Sequence, residues 1–539
     1  MAQTHCRTSS RQIYVKPQNA IRYRHTVSSL EPAPDATVGT TAPGDSTTDM
    51  GSARQRPESW IARHRVSLAG FFTVGFTGGL VGPSAWDWYL RQDITPGHGT
   101  IIGGFFVVTA AAIAYTGTHL TRTSTERIAD QKNRFDTINA ERAHNLADIQ
   151  ELRRRFVTTT AQFADPSPEV RLAGVYALEA LTNDWIDRNS TTDAQTCINY
   201  LCGYLTRPYS PPTQDPHLRQ TVVTPDLGTH VQRTYMHPHD DLNVRQAITR
   251  TIATHLHPGN HHTWSDYDYD LTGAYFRDAI FSGCHFRGKI NLTGTHFDGE
   301  HTSFDFAEFH SELTSFRFAQ FRSETVSFDD ARFHGITSFD NAQFHGATSF
   351  DDSFFHGRRT TFGSVLFRGE FVSFTRTEFR ATTATHFRFA RFHSERTSFE
   401  EAQFHSGSTS FIRMEFGSAL SDRDETTFNR AEFRGGRVSF SLARFRSTTT
   451  SFDEAKFHSD RVTFSASRFY SDVTSFTQAE FCADETTFNR ARFLGKLTSF
   501  ENPQEWRNVY FDWDDPTSTT QKPDYVVPQE WPPTPTPSV

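Results

Sequence analysis

Two stretches concentrate residues that could hold a metal ion: HPHDD at 237–241 and HLHPGNHH at 255–262, offering His237, His239, Asp241, His255, His257, His261 and His262. Imidazole and carboxylate are zinc-type ligands, but the spacing matches neither a structural zinc signature nor an H-E-x-x-H helix. A metal-dependent enzyme or sensor using the His-rich 237–262 region is therefore an alternative reading, and no cofactor is expected. A second chemistry-bearing set follows a recurring Phe: His310, Arg322, His334, His345, His356, Arg368, Arg380, His393, His405, Arg434, Arg446 and His458. A basic stripe of this kind suits docking of an acidic protein partner, tunable near the pKa of His. Charged residues also simply belong on a solvated face, and that plainer reading is favoured. Acidic residues (Asp305, Asp329, Asp340, Asp351, Glu400, Asp453) follow the alternate Phe and form a stripe of their own. No nucleophile elbow, phosphate loop or dinucleotide fingerprint is present. We expect no enzyme. The five Cys contain no C-x-x-C, which points to a reducing compartment.

What positions these residues is a repeat. Phe numbers 51 of 539 residues. From Phe304 to Phe500 the spacing alternates five and seven, giving a twelve-residue unit, [TV]-[ST]-F-x-x-A-x-F plus about four polar residues. Thr or Val stands two before the first Phe in all seventeen units, and Ala two before the second Phe in eleven of sixteen. Residues two apart share one side of an extended strand, so Thr/Val with Phe, and Ala with Phe, face inward together. A period of 3.6 is not sustained. Each unit is too short to bury its own Phe, so stacked coils must build the core. The one gap of twelve, Phe416 to Phe428, reads as a missed five-residue step.

Upstream, YDLTG-AYFRD-AIFSG-CHFRG spaces Leu271, Phe276, Phe281 and Phe286 five apart. Here the chain resembles the pentapeptide-repeat family, and the two uncharged runs and helical module ahead of the repeats resemble its membrane-anchored, actinobacterial type. The resemblance implies a mainly β fold, a right-handed quadrilateral β-helix over 268–500, with coils widened to about 24 residues by the five-plus-seven spacing. A gyrase-binding DNA mimic is a known role in that family, so a topoisomerase-binding DNA-mimic protein is a further alternative. That role needs an acidic rod, whereas 301–500 holds 26 acidic and 24 basic side chains. The net charge of -8 also gives no basic surface overall, and no nucleic-acid partner is expected.

The solenoid is expected to follow a two-helix transmembrane hairpin and a small α-helical module. Residues 1–62 read as a disordered arm. Within 63–120, two uncharged runs at about 66–86 and 99–118 reach the ~20 residues that span a bilayer. Arg54, Arg56, Arg63 and Arg65 precede them, and Arg122, Arg127, Lys132 and Arg134 follow. The positive-inside rule then places both termini in the cytoplasm, at the plasma membrane, with the lipid bilayer as a partner. Residues 121–165 predict a juxtamembrane helix with a broken heptad seam, a candidate for a coiled-coil homo-oligomer. Residues 166–265 predict helices around a Pro/His-rich loop at 208–241. Residues 501–515 read as a cap and 516–539 as a disordered tail. The expected function is a membrane-anchored, non-enzymatic scaffold presenting a cytoplasmic solenoid to an unknown protein partner.

Overall fold

The computed structural model describes residues 91, 96–209, 211, 220–223, 233–236, 241–417 and 424–536. The arm, the run 66–86, His237 and His239 lie outside them. The chain divides into two units, Met1–Arg127 and Ile128–Val539.

One helix, α1 (Pro96–Gln162), carries both the second uncharged run and the juxtamembrane segment, which the sequence divides into a span and a separate helix. No helix among the described residues is long and apolar enough to cross a membrane. Phe106, Val107, Val108, Ile113 and Tyr115 on α1 are exposed. In the second unit the heptad seam splits. Ile128, Phe135 and Ile138 are exposed, while Ile149, Leu152 and Phe156 join the core.

Three helices form the module: α2 (Pro168–Asp187), α3 (Thr191–Leu205) and α4 (Leu242–Leu256). Pro168 and Glu169 begin α2, where a fixed φ and a negative charge suit the first turn. The 208–241 segment is not wholly loop: β1 (Gln220–Val223) pairs antiparallel with β2 (Arg233–Met236). The β-branched and aromatic residues Thr221, Val222, Val223, Thr234 and Tyr235 favour pairing there. Helix α3 packs on the first solenoid strand, Tyr269–Asp270, and α4 on Tyr275–Arg277, so the module closes one end of the solenoid.

The solenoid is parallel throughout, with four sheets of eleven, ten, ten and ten strands. Each coil contributes one strand to each sheet, giving about eleven turns and four faces. In chain order we call these faces I (Leu313–Ser315), II (Gln320–Phe321), III (Thr325–Ser327) and IV (Arg332–Phe333). Faces II and IV are opposite. The Phe residues form four stacked columns. Phe304, Phe328 and Phe350 lie 4.9 and 4.8 Å apart with their rings nearly parallel, and Phe316 meets Phe328 edge-on at 5.6 Å. Burying each such ring contributes about 1.5–3 kcal/mol before entropy.

Corners explain the five-residue half of the unit. The second residue after the first Phe has φ between +55° and +62° in every unit, from Phe306 to Arg490. The next amide closes the turn on the Phe carbonyl, as Ala307 does on Phe304 at 3.0 Å. Upstream, Gly273, Gly283 and Gly294 fill this position, where glycine has no Cβ to clash. Beyond Phe416 the chain inserts residues at one corner without losing a face. Arg430 bonds Glu401, 29 residues earlier, where Arg376 bonds Asp352, 24 earlier, yet Phe428 still stacks on Phe399 at 4.8 Å.

The far end also differs from expectation. Trp506 takes the Phe place on face IV, and Phe511 stacks on Phe488 at 4.5 Å. The tail is ordered over 516–536: Val526–Val527 adds a last strand to face III, and Trp531 covers Phe511 at 5.1 Å. Apolar anchors at Val526 and Trp531 outweigh the Pro/Thr composition that suggests disorder, because the last Phe layer must be covered.

Candidate interaction surface

The twelve stripe residues do not form one row. A coil holds two repeat units, so alternate members fall on opposite faces. His310, His334, His356, Arg380, His405, Arg434 and His458 lie on face IV. Arg322, His345, Arg368, His393 and Arg446 lie on face II.

Face IV neutralises itself. The residue before its Phe is repeatedly Glu, which shares the outward side with the basic residue after it. His310 meets Glu308 at 3.0 Å and Arg380 meets Glu378 at 2.6 Å. Arg434 and His405 share Glu432, His458 meets Glu480 at 2.9 Å, and Arg507 meets Glu505 at 3.3 Å. His334 stacks on His310 at 4.4 Å.

Face II is different. Before its Phe stand Arg391, Glu415, Arg444, Arg468 and Arg492, in register on successive coils. Among strand residues from Arg391 onward, Glu415 is the one carboxylate, and it pairs with Arg446 at 3.2 Å. Arg444, Arg468 and Arg492 are exposed and make no ion pair among the described residues. Strands stand about 4.8 Å apart, and like charges directly opposite destabilise a sheet. The field is felt locally. The hydrogen bond from Arg468 to Tyr470, at 3.4 Å, holds that phenol below its ordinary pKa, reinforced by the charges of Arg468, Arg446 and Arg444. Burial first, then Arg391, Arg368 and Arg446, hold His393 down against Glu415. The charge of this face is therefore carried by Arg rather than His at neutral pH. Arg413, Leu442, Ala466 and Phe389 border Arg444 and Arg468 in a shallow concavity.

The acidic residues have a structural use. Asp305 accepts the Ser327 hydroxyl and, at 3.1 Å, the Asp329 amide. Asp329 does the same for Ser349 and the Asp351 amide, and Asp351 for Ser373 and the Thr375 amide. Asn429 and Asp453 continue this ladder. Burial first, then the neighbouring Asp351 and Asp305, raise Asp329 above its ordinary pKa, opposed by the Ser349 hydroxyl.

The His-rich region does not converge. Among the described residues, no three of its His and Asp side chains come together as ligands. His255 is buried, stacked on Trp264 at 4.3 Å, with its two nitrogens on Glu179 and the His262 carbonyl. His262 meets Asp187 at 3.0 Å. Asp241 is buried between Arg171 and Arg245 and accepts the Tyr204 hydroxyl.

Compared with known proteins, the chain matches no protein-family model, and no curated protein and no solved structure matches it. The fold stands on its own geometry: a parallel β-solenoid with stacked Phe columns, which fits the pentapeptide-repeat architecture.

Proposed function

We propose that this protein is a membrane-anchored, non-enzymatic scaffold whose solenoid offers face II to an acidic protein partner. The observation that carries this reading is the in-register, unpaired series Arg444, Arg468 and Arg492 opposite a face whose charges cancel. A partner carboxylate would remove the mutual repulsion and accept bidentate guanidinium bonds. Exposed Leu442, Leu494 and Phe389 beside the arginines support a protein interface over a purely ionic one. The sign of this face also speaks against the DNA-mimic alternative, which needs negative charge.

Anchoring rests on the two uncharged runs, their Arg/Lys flanks and the exposed apolar side chains on α1. It would hold the solenoid at the inner face of the plasma membrane, both termini cytoplasmic, with the exposed part of the heptad seam available for self-association. Cross-linking capture in cells tests the reading, with the full chain compared with its Arg444→Glu/Arg468→Glu/Arg492→Glu variant. We expect a membrane-fraction partner that the variant loses. The same partners from both chains, or nucleic acid recovered in place of protein, would overturn it.

A further inference from the structure

We propose that His458, Glu480 and Cys482 on face IV form a binding site for a thiol-seeking divalent cation of the zinc class. The site follows from register. Phe457 pairs with Phe481 on the next coil, so the residue after the first and both residues flanking the second stand together outside. His458 Nε2 lies 2.9 Å from Glu480 Oε1, and Cys482 Sγ lies 3.7 Å from the same oxygen. The three donor atoms all fall within 4.8 Å of one another. His458 Nε2 is shielded from solvent and lies close to the carboxylate without a well-aligned hydrogen bond to it. Nitrogen, oxygen and sulfur donors on a rigid backbone suit zinc, whose ligand distances of about 2.0–2.3 Å need only side-chain adjustment here. Glu505 stands in register with Glu480 and can add a fourth oxygen by releasing Arg507.

A second cluster on the same face, His285, Glu308 and His310, is the weaker candidate. Its Glu308 already holds Arg332 at 3.2 Å, so a cation there would face a guanidinium. Lys456, in register with Glu480, is exposed on a flexible stem and makes no ion pair among the described residues. On binding, the Cys482 S–H bond gives way to a sulfur–metal bond and the proton leaves to the buffer. No oxidant or reductant takes part. Cys197, Cys202 and Cys284 are buried, so Cys482 is the accessible thiol among the described residues.

The test is titration of the purified full chain, in a Cys6→Ser background, with cobalt(II) alone. A near-ultraviolet thiolate-to-cobalt absorption is expected, displaced by zinc. Cys482→Ser should abolish the band with unchanged thermal unfolding, and His458→Gln should weaken cobalt binding at least about tenfold, or ~1.4 kcal/mol. No thiolate band in the starting protein, or a band that survives Cys482→Ser, would overturn the assignment.

Discussion

Asp329 shows what one outward position does in this repeat. Its carboxylate holds a hydroxyl and an amide of the next coil, and Asn429, further along the same column, does the same work with an amide oxygen. Burial and two neighbouring Asp disfavour its negative charge. Asp329→Asn should therefore leave denaturant stability within about 0.5 kcal/mol, whereas Asp329→Ala, which leaves buried donors unpaired, should cost about 1.5–3 kcal/mol. The inward Thr positions make a complementary case. Thr360 Oγ1 is buried with no partner, while Val326, Val372, Val438 and Val462 fill the equivalent place. Thr360→Val should stabilise the chain by about 1 kcal/mol in equilibrium unfolding. The sequence shows both residue types at these places. It does not show which hydroxyls find a partner, because that depends on what the neighbouring corner presents.

Strand and corner follow different rules, and they were legible to different degrees. The inward rows are plain in the sequence because apolar period and strand period coincide. The corners are not, since residues as unlike as Phe306, Asp330 and Ala466 all adopt the left-handed conformation there, and only the upstream coils use Gly. Each such residue carries strain of order 1–2 kcal/mol, held by the stacked columns on either side. Ala466→Gly should then raise stability by about 0.5–1 kcal/mol, after the extra backbone entropy of Gly is counted. Histidines on the faces give the element-scale pH response. Burial first, then Arg368 and Arg322, hold His345 below its ordinary pKa. Burial first, then Arg388 and Arg359, do so for His386 against Asp340. His296 and His393 are lowered as well, burial again first. The folded chain thus binds fewer protons than the unfolded chain near pH 6.5. Their contribution is fully present above the unfolded pKa and is lost as pH falls through it toward the lower folded values. The thermal midpoint should drop between about pH 7.5 and 5.5, and His345→Gln with His386→Gln should flatten that slope.

At the scale of the whole molecule, two units per coil turn one sequence stripe into two opposite faces of different character. The twelve-residue period and the 24-residue coil together imply this division, but the pairing that neutralises face IV depends on which residue precedes each Phe, a column the His/Arg pattern does not single out. The ordered tail was hidden for another reason: Val526 and Trp531 are sparse anchors in a Pro/Thr background, and they matter only once an open Phe layer exists for them to cover. The pairing of Gln220–Val223 with Arg233–Met236 is hidden by the neighbouring Pro-rich sequence in the same way. The division between faces selects face II as the binding surface. Its most direct test is binding of a poly-glutamate peptide to the purified full chain across a salt series. Binding should weaken as salt screens the arginines, at a Debye length of ~8 Å in physiological salt. Arg444→Glu/Arg468→Glu/Arg492→Glu should abolish it, and Arg380→Glu/Arg434→Glu on face IV should leave it within about twofold. Equal loss from both variants, or binding retained by the face II variant, would rule out face II as the binding surface.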